Sequence, residues 1–367
     1  MSADGAALGG RLGERDLSAA PAALNLLEST VPGDREQATA LLEEVSPLAL
    51  GAEAPGHVVG VTGPPGAGKS TLLAALLEGW RARRRTVAVL AVDPSSRRSG
   101  GSLLGDRARI SFDPADRGVF IRSTSAGERL GGLAWATRSA AHALAVAFDI
   151  VVIETVGVGQ AETEVADVAD TVAVVVQPGG GDVLQFYKAG IMEIPDVLVI
   201  TKADLGEVAK RSKREVTAAL RSLGCSSTPV VTVSSLPAPA GIDELIEALA
   251  AHRTDGDLGE RRLRARRANA LSDYLHEHGE SGLRALGGRP AAEQLLAAQD
   301  PRLDTAALAA ALERHAGDRC GWPATWPRSW GRSSSPARSP ARSAPPTWAP
   351  RWRSGRSRSR WRSCTSC

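Results

Sequence analysis

The segment HVVGVTGPPGAGKSTLLAALLEGW (57–80) carries the strongest indication of fold in this chain of 367 residues. It begins with a valine-rich apolar run that predicts a buried strand, and it ends with leucines at helical spacing. Between the two, residues 63–70 fit the pattern G-x-x-x-x-G-K-[ST] of a phosphate-binding loop. The glycines let backbone N–H groups point at phosphate oxygens, and the N-terminus of the following helix adds partial positive charge. The segment therefore predicts a strand, a phosphate-binding loop and a helix in succession.

The side chains at the end of this loop have separate predicted roles. Lys69 is expected to reach the β- and γ-phosphates of a nucleotide, and the Ser70 hydroxyl is expected to bind Mg²⁺. The alternative is a chance glycine-rich turn, which the complete pattern between a strand and a helix argues against. The predicted phosphate-binding residues are Gly63, Pro64, Pro65, Gly66, Ala67, Gly68, Lys69, Ser70 and Thr71.

On both sides of this segment, short apolar runs alternate with helical segments. Near-continuous apolar strands that alternate with helices predict an α/β fold of the P-loop NTPase type, with a mostly parallel sheet flanked by helices. Functional loops should then gather at the carboxyl ends of the strands. The candidate strands are 57–63, 86–93, 118–123, 149–155, 171–178, 196–204 and 229–235.

Helical extensions are predicted at both ends of this domain. Two apolar-periodic segments, at 22–30 and 35–45, predict a small helical preface before the first strand. After the domain, residues 253–318 are helical in composition, which fits either a dimerisation or docking arm or a plain helical appendix that caps the domain. The predicted organisation is an N-terminal extension with linker (1–56), a nucleotide-binding domain (57–252), a C-terminal helical arm (253–318) and a tail (319–367).

The tail differs from the rest of the chain in composition and charge. Six of the eight tryptophans lie in the last 48 residues, among Arg, Ser and Pro, and such a segment cannot bury enough surface to fold. This composition favours a reading-frame shift in GC-rich coding DNA over a functional, RNA-binding tail. Eleven arginines follow Asp318, and without them the net charge of +3 becomes −8 for residues 1–318. The folded part is therefore acidic, so a nucleic-acid partner is not expected for it.

Composition also bears on location and on the cysteines. No apolar run reaches the roughly 18 residues that a membrane span needs, and no apolar run follows a basic start. We therefore expect a cytoplasmic protein without a membrane partner. Cys225 is the one cysteine before the tail region, so neither a disulfide nor a zinc site is expected in the core.

A second motif, TKAD (201–204), ends a predicted strand and resembles the [NT]-K-x-D element of GTPases. There the aspartate, here Asp204, accepts hydrogen bonds from guanine N1–H and the exocyclic amine, while the lysine stem, here Lys202, covers the ring. Adenine offers no such pair of donors, so Asp204 would select GTP over ATP. Thr201 stands where Asn is commoner, which is expected to weaken one polar contact. Further on, Ser234 and Ser235 lie where GTPases place a base-contacting loop.

Three acidic residues lie at predicted strand ends or in the loops after them. Asp93, Asp106 and Glu154 could each supply a hard carboxylate oxygen to Mg²⁺ near the nucleotide phosphates, directly or through water. The alternative is that one or two of them only cap the following turn or helix. The predicted metal ligands are Ser70, Asp93, Asp106 and Glu154.

Five further segments make the resemblance to a family specific. VDPSSRRSGGSLLGDRARI, FIRSTSAGERLGGLAWAT, ETVGVGQAETEVADVADTV, PGGGDVLQFYKAGIMEI and TKAD follow GPPGAGKS in this order. Over about residues 57–252 the chain resembles the MeaB/ArgK-type GTPases, which chaperone adenosylcobalamin-dependent acyl-CoA mutases such as methylmalonyl-CoA mutase. The resemblance implies GTP/GDP and Mg²⁺ as cofactors, a cobalamin-dependent acyl-CoA mutase as partner, and possible homodimerisation.

The resemblance also implies roles for particular residues. It places Glu154 and Gly157 in the γ-phosphate-sensing loop, and it makes Asp93 and Asp106 Mg²⁺ contacts. Residues 178–188 correspond to a mobile loop that meets the mutase, with Gln185 and Lys188 as candidate contacts for partner-stimulated hydrolysis. The predicted catalytic residues are Lys69, Glu154 and Lys188.

Three functions are consistent with the fold class and motifs of this sequence. The leading one is a GTPase that binds a cobalamin-dependent mutase and gates cofactor loading or the release of damaged cofactor. Because no glutamine directly follows Gly157, intrinsic hydrolysis should be slow and the partner should accelerate it. A nickel-insertion GTPase is a second possibility, although the core lacks a histidine run. An ATP-driven kinase or transport ATPase is the third, and TKAD argues against it.

Overall fold

Seven strands form one parallel sheet in the computed structural model, which describes residues 4–93, 110, 112–125, 135–155, 165–179, 195–222, 224–236 and 238–320. All seven predicted strands are confirmed, and so is the α/β fold class. The longest overshoot is at 196–204, where the strand ends at Ile200 and the TKAD residues form the loop. The strands are β1 His57–Thr62, β2 Val87–Asp93, β3 Val119–Ser125, β4 Ile150–Glu154, β5 Thr171–Val176, β6 Val197–Ile200 and β7 Val230–Thr232.

The sheet order is β3-β2-β4-β1-β5-β6-β7, and each described pairing is parallel. Strand β1 therefore lies at the centre, with Val59 in register with Val152 of β4 on one side and Thr171 of β5 on the other. Because all strands run the same way, the loops after β1, β4, β5 and β6 emerge at one edge. Strand order changes direction around β1, and ligands of open α/β sheets bind at such a point.

Helices cover both faces of the sheet, which explains why its strands are apolar throughout. One face packs against the N-terminal helices, α6 and α7, and the other face packs against α5 and α8. The predicted preface helices are confirmed as α2 and α3, and α1 and α4 were not predicted. The helices to this point are α1 Gly5–Gly13, α2 Ala20–Leu27, α3 Pro32–Glu44, α4 Pro47–Leu50, α5 Lys69–Ala82, α6 Trp135–Ala147, α7 Glu207–Ser222 and α8 Ile242–Thr254.

The C-terminal arm consists of α9 Leu258–Leu286, α10 Arg289–Ala297 and α11 Thr305–Cys320. Helix α9 is interrupted at Gly279, whose φ of 60° and ψ of −162° are not helical. The three helices enclose an apolar core of their own, built around Leu271, Tyr274 and Leu308. The arm thus has the internal packing of a small helical unit, as expected from its composition.

Arginines of α9 hold the arm against the amino-terminal edge of the sheet. Arg262 donates two hydrogen bonds to the Asp170 carboxylate, at 2.7 and 2.6 Å. Arg266 forms a second two-bond pair with Glu53, at 2.9 and 2.8 Å. The arm therefore packs as a helical appendix that caps the domain, and its pairing with a second copy stays a prediction.

Residues 321–367 lie outside the part of the chain that the structure describes, and the prediction made for the tail stays a prediction. Within the described part, no helix is both long and apolar enough to cross a membrane.

Candidate nucleotide-binding site

The loop between β1 and α5 has the backbone that its glycines predict. Gly63, Gly66 and Gly68 have φ values of 139°, 78° and 90°, a region that residues with a Cβ rarely adopt. A Cβ at Gly63 would also lie 2.1 Å from the Val175 carbonyl oxygen of β5, so this glycine is required for space as well. The loop is therefore held close to β5 and turns sharply into α5.

Lys69 is the first residue of α5, and its side chain is buried. The ammonium donates to the backbone carbonyls of Gly63, at 2.6 Å, and Pro64, at 3.1 Å. The charge therefore lies over the hollow of the loop, where backbone N–H groups of a P-loop receive phosphate oxygens. Its predicted role with the β- and γ-phosphates stays a prediction.

Ser70 and Glu154, two of the four predicted metal ligands, are in direct contact. The Ser70 hydroxyl donates to Oε1 of Glu154 at 2.9 Å, and Glu154 is buried at the end of β4. Asp93 ends the neighbouring strand β2, and its near neighbour Ala91 is in register with Glu154. A hydroxyl and carboxylates at adjoining strand ends are the hard oxygen ligands that Mg²⁺ takes beside nucleotide phosphates, so the residues present fit this ion.

Thr201 ties the TKAD loop to the phosphate-binding loop. Its buried hydroxyl donates to the Ala67 carbonyl at 2.6 Å and lies 3.2 Å from the Val176 carbonyl at the end of β5. The hydroxyl hydrogen is therefore directed at the protein backbone. The weaker base contact expected for threonine stays a prediction.

The rest of the TKAD loop presents polar groups at the surface. Lys202 has left-handed backbone angles, φ 53° and ψ 42°, and its ammonium donates to the Gln177 side-chain oxygen at 2.7 Å. Asp204 is exposed at the start of a short 3₁₀ helix, Ala203–Leu205, and it accepts a hydrogen bond of 3.1 Å from the Ser234 hydroxyl. Ser235 is the next residue of that second loop. Asp204 and Ser234, which come from the two predicted base-contacting loops, are therefore in contact.

Several predicted residues cannot be placed, and some contacts were missed. Asp106, Gly157, Gln185 and Lys188 lie outside the described residues, as does the Asp93 side chain. Gln177, which contacts Lys202, was not among the predicted residues. A single glutamine before a proline carries no signal of its own.

Most of the described chain, including both nucleotide-binding loops, matches a known protein family. The family model described as methylmalonyl-CoA mutase-associated GTPase MeaB matches residues 20–282, which include the phosphate-binding loop, the TKAD loop and most of α9. The chain belongs to this family. The match confirms the resemblance stated from the motifs, and it extends beyond residues 57–252 into both helical extensions.

Individual relatives of this MeaB-family chain support the same family assignment. A probable GTPase of Mycobacterium bovis is 42% identical over 258 residues, 68% of this chain and 74% of that protein. A mitochondrial methylmalonic aciduria type A homolog of Mus musculus is 39% identical over 243 residues, 62% of this chain and 58% of that protein. Among solved structures, the crystal structure of an LAO/AO transport system kinase has a TM-score of 0.59 at 28% identity and covers 86% of this chain and 98% of its own.

Proposed function

We propose that this chain is a cytoplasmic GTPase that hydrolyses GTP to GDP and phosphate with Mg²⁺. The observation that carries the proposal is the contact between Thr201 and the Ala67 carbonyl, which joins the predicted base-binding loop to the phosphate-binding loop. A nucleotide whose phosphates lie on the Lys69 side would bring its base toward Lys202 and Asp204. Membership of a family named for a GTPase supports the same conclusion.

In this proposal each predicted site residue has a separate part in the chemistry. Lys69 would balance charge on the β- and γ-phosphates, and Ser70, Asp93, Asp106 and Glu154 would hold Mg²⁺ directly or through water. The ion would neutralise the charge that develops as the terminal phosphoryl group transfers. Water would form the new bond to the γ-phosphorus while the bond to the bridging oxygen of GDP breaks. Gly157 would contact the γ-phosphate from the segment that follows Glu154.

The choice of nucleotide tests the proposal through Asp204. Asp204→Asn removes the acceptor pair for the guanine edge, so GTP affinity should fall at least tenfold, or about 1.4 kcal/mol. Affinity for xanthosine triphosphate should rise, because its base accepts where guanine donates. The measurement is titration calorimetry of both proteins with GTP, ATP and xanthosine triphosphate. Tighter binding of ATP than of GTP by the parent would favour the ATP-driven alternative and overturn the assignment.

We also propose that a cobalamin-dependent acyl-CoA mutase is the partner, and that GTP binding and hydrolysis gate the loading of its cofactor or the release of damaged cofactor. The family description names association with methylmalonyl-CoA mutase, and the relative from Mus musculus is named for methylmalonic aciduria. The contacting segment would be residues 178–188, whose second residue, Gly179, has a φ of 77°. Homodimerisation through the arm belongs to the same proposal.

A substitution at Lys188 tests whether the protein acts as a mutase chaperone or as a GTPase without a partner. Lys188→Ala should leave basal GTP turnover within about twofold while removing most of the acceleration by a mutase, because a contact formed only in the complex is lost. The measurement is GTP turnover with and without a methylmalonyl-CoA mutase. Lys210→Ala, an exposed lysine of α7, is the matched control and should retain full stimulation. Equal stimulation of Lys188→Ala and parent would remove Lys188 from the mechanism, and an unstimulated parent would remove the partner.

A further inference from the structure

We infer that Gln177 is a positioning residue for nucleotide recognition, because it holds the Lys202 side chain in place as a preformed surface for the purine. The inference rests on the proposed function, in which Lys202 covers the base. It adds a residue that lies outside both nucleotide motifs, one residue beyond the end of β5.

The backbone at Gln177 is fixed between the two nucleotide-binding loops. Strand β5 lies between β1, which leads to the phosphate-binding loop, and β6, which leads to the TKAD loop. The Val176 carbonyl accepts a hydrogen bond from the Thr201 N–H at 3.0 Å, directly before Gln177. The side chain of Gln177 is half-buried. Its amide thus projects from a rigid strand end at the junction of the two loops.

Two oxygens fix the far end of the Lys202 side chain. The ammonium donates to Oε1 of Gln177 at 2.7 Å, and it lies at a longer 3.4 Å from the Gly66 carbonyl. The distances make the Gln177 contact the stronger of the two. At the near end, the left-handed backbone of Lys202 fixes where the side chain starts. The aliphatic stem therefore spans the gap between the TKAD loop and the phosphate-binding loop.

A lysine stem that is already held has an energetic advantage in covering a flat ring. A free lysine loses rotamer freedom when it packs on a base, whereas one fixed at both ends loses less on binding. The stem would contact the purine equally in substrate, transition state and product. Loss of the Gln177 contact should therefore raise KM for GTP and leave kcat unchanged, because uniform binding is what is lost. Binding of inorganic pyrophosphate, which has no base, should be unaffected.

The experiment compares Gln177→Met, which keeps the length of the side chain without its acceptor, with Gln177→Glu, which keeps an acceptor oxygen. For Gln177→Met we expect GDP affinity to fall about fivefold, KM for GTP to rise in parallel and pyrophosphate affinity to stay within twofold. Gln177→Glu should bind GDP within twofold of the parent. Thermal unfolding of each variant shows that it is folded.

A double-mutant cycle tests whether Gln177 acts through Lys202. In a Lys202→Met background, Gln177→Met should change GDP affinity by less than twofold, since the ammonium is already absent. In a Lys210→Met background the fivefold effect should persist, because that exposed lysine pairs with Glu207 instead. The inference would be overturned if Gln177→Met still lowered GDP affinity fivefold in the Lys202→Met background. It would also be overturned if Gln177→Met did not change the GDP affinity of the otherwise unaltered protein. A parent that binds ADP as tightly as GDP would contradict the proposed GTPase function instead.

Discussion

The two edges of the sheet use polar side chains in opposite ways. At the carboxyl edge, Lys202 and Asp204 are exposed and make contacts with neighbouring loops that a ligand could replace. At the amino edge, Asp170 is buried and accepts two hydrogen bonds from Arg262. A ligand could therefore replace these contacts at the carboxyl edge, whereas the contacts of Asp170 at the amino edge are internal to the fold.

Threonine hydroxyls link protein groups at both edges. At the amino edge Thr171 connects two imidazoles, at 2.8 Å from His57 and 3.0 Å from His252. At the carboxyl edge the hydroxyl of Thr201 instead links two loops across the nucleotide site. We therefore expect substitutions at the amino edge to act on the free energy of unfolding, and substitutions of the nucleotide-site residues at the carboxyl edge to act on the affinity for nucleotide.

The strongest challenge to this division is Arg262→Met. It leaves the Asp170 carboxylate buried without its guanidinium partner, which should lower the free energy of unfolding by about 3–5 kcal/mol. GDP affinity of the folded protein should stay within twofold. Urea denaturation and calorimetry measure the two quantities. Arg289→Met removes an arginine from an exposed pair with Glu293 and, as the control, should cost less than about 1 kcal/mol. A cost that small for Arg262→Met would contradict the division.

The matching change at the other edge is Lys69→Ala. Loss of the ammonium should weaken GTP binding about a hundredfold, or ~2.7 kcal/mol, because phosphate charge is left unanswered. The free energy of unfolding should change by less than about 1 kcal/mol. Ser70→Ala, one residue further along, should chiefly raise the Mg²⁺ concentration needed for binding. Calorimetry with GTP at several Mg²⁺ concentrations tests both variants, and normal hydrolysis by both would refute the phosphate-binding role.

The smallest expected effect is a pH dependence of the free energy of unfolding, which arises from His57 at the amino edge. Burial lowers the pKa of His57 from 6.5 to about 4, so the folded protein resists a proton that the unfolded chain binds. Stability should therefore fall as pH drops from 6.5 towards 4. Between pH 7.5 and 5 the parent should lose about 2 kcal/mol more than His57→Gln. Burial also lowers the pKa of His142 to about 4, and its effect cancels because both proteins carry it. Parallel urea-unfolding stabilities at the two pH values would contradict this.

Local patterns were enough to predict the strands and the phosphate-binding loop. Valine-rich runs and glycine spacing are properties of neighbouring residues, and they held for all seven strands. The short helix α1 was missed, because its sequence GAALGGRLG contains four glycines, which disfavour a helix. Its Gly5 and Gly9 instead pack against α3, where a Cβ would lie within 3 Å of neighbouring atoms. Tertiary packing overrides propensity there.

Contacts between distant residues were the part that the sequence did not predict. Arg262 and Asp170 are 92 positions apart, and Thr201 and Ala67 are 134 positions apart. Neither pair belongs to a local pattern, and each depends on which strands become neighbours. The sheet order places β1 beside β5, and that order follows from packing of the whole domain. The bond between Lys202 and Gln177 has the same origin.

Arg262 also limits how far this protein can be shortened from its C-terminal side without loss of stability. A fragment that ended at residue 252 would contain the phosphate-binding loop and the TKAD loop, yet it would lack the guanidinium that also donates to the Ala54 and Gly56 carbonyls. Those carbonyls lie in the linker that enters β1. A fragment that ends at residue 252 should therefore be less stable than the longer chain, and truncation for crystallisation or fusion should retain α9.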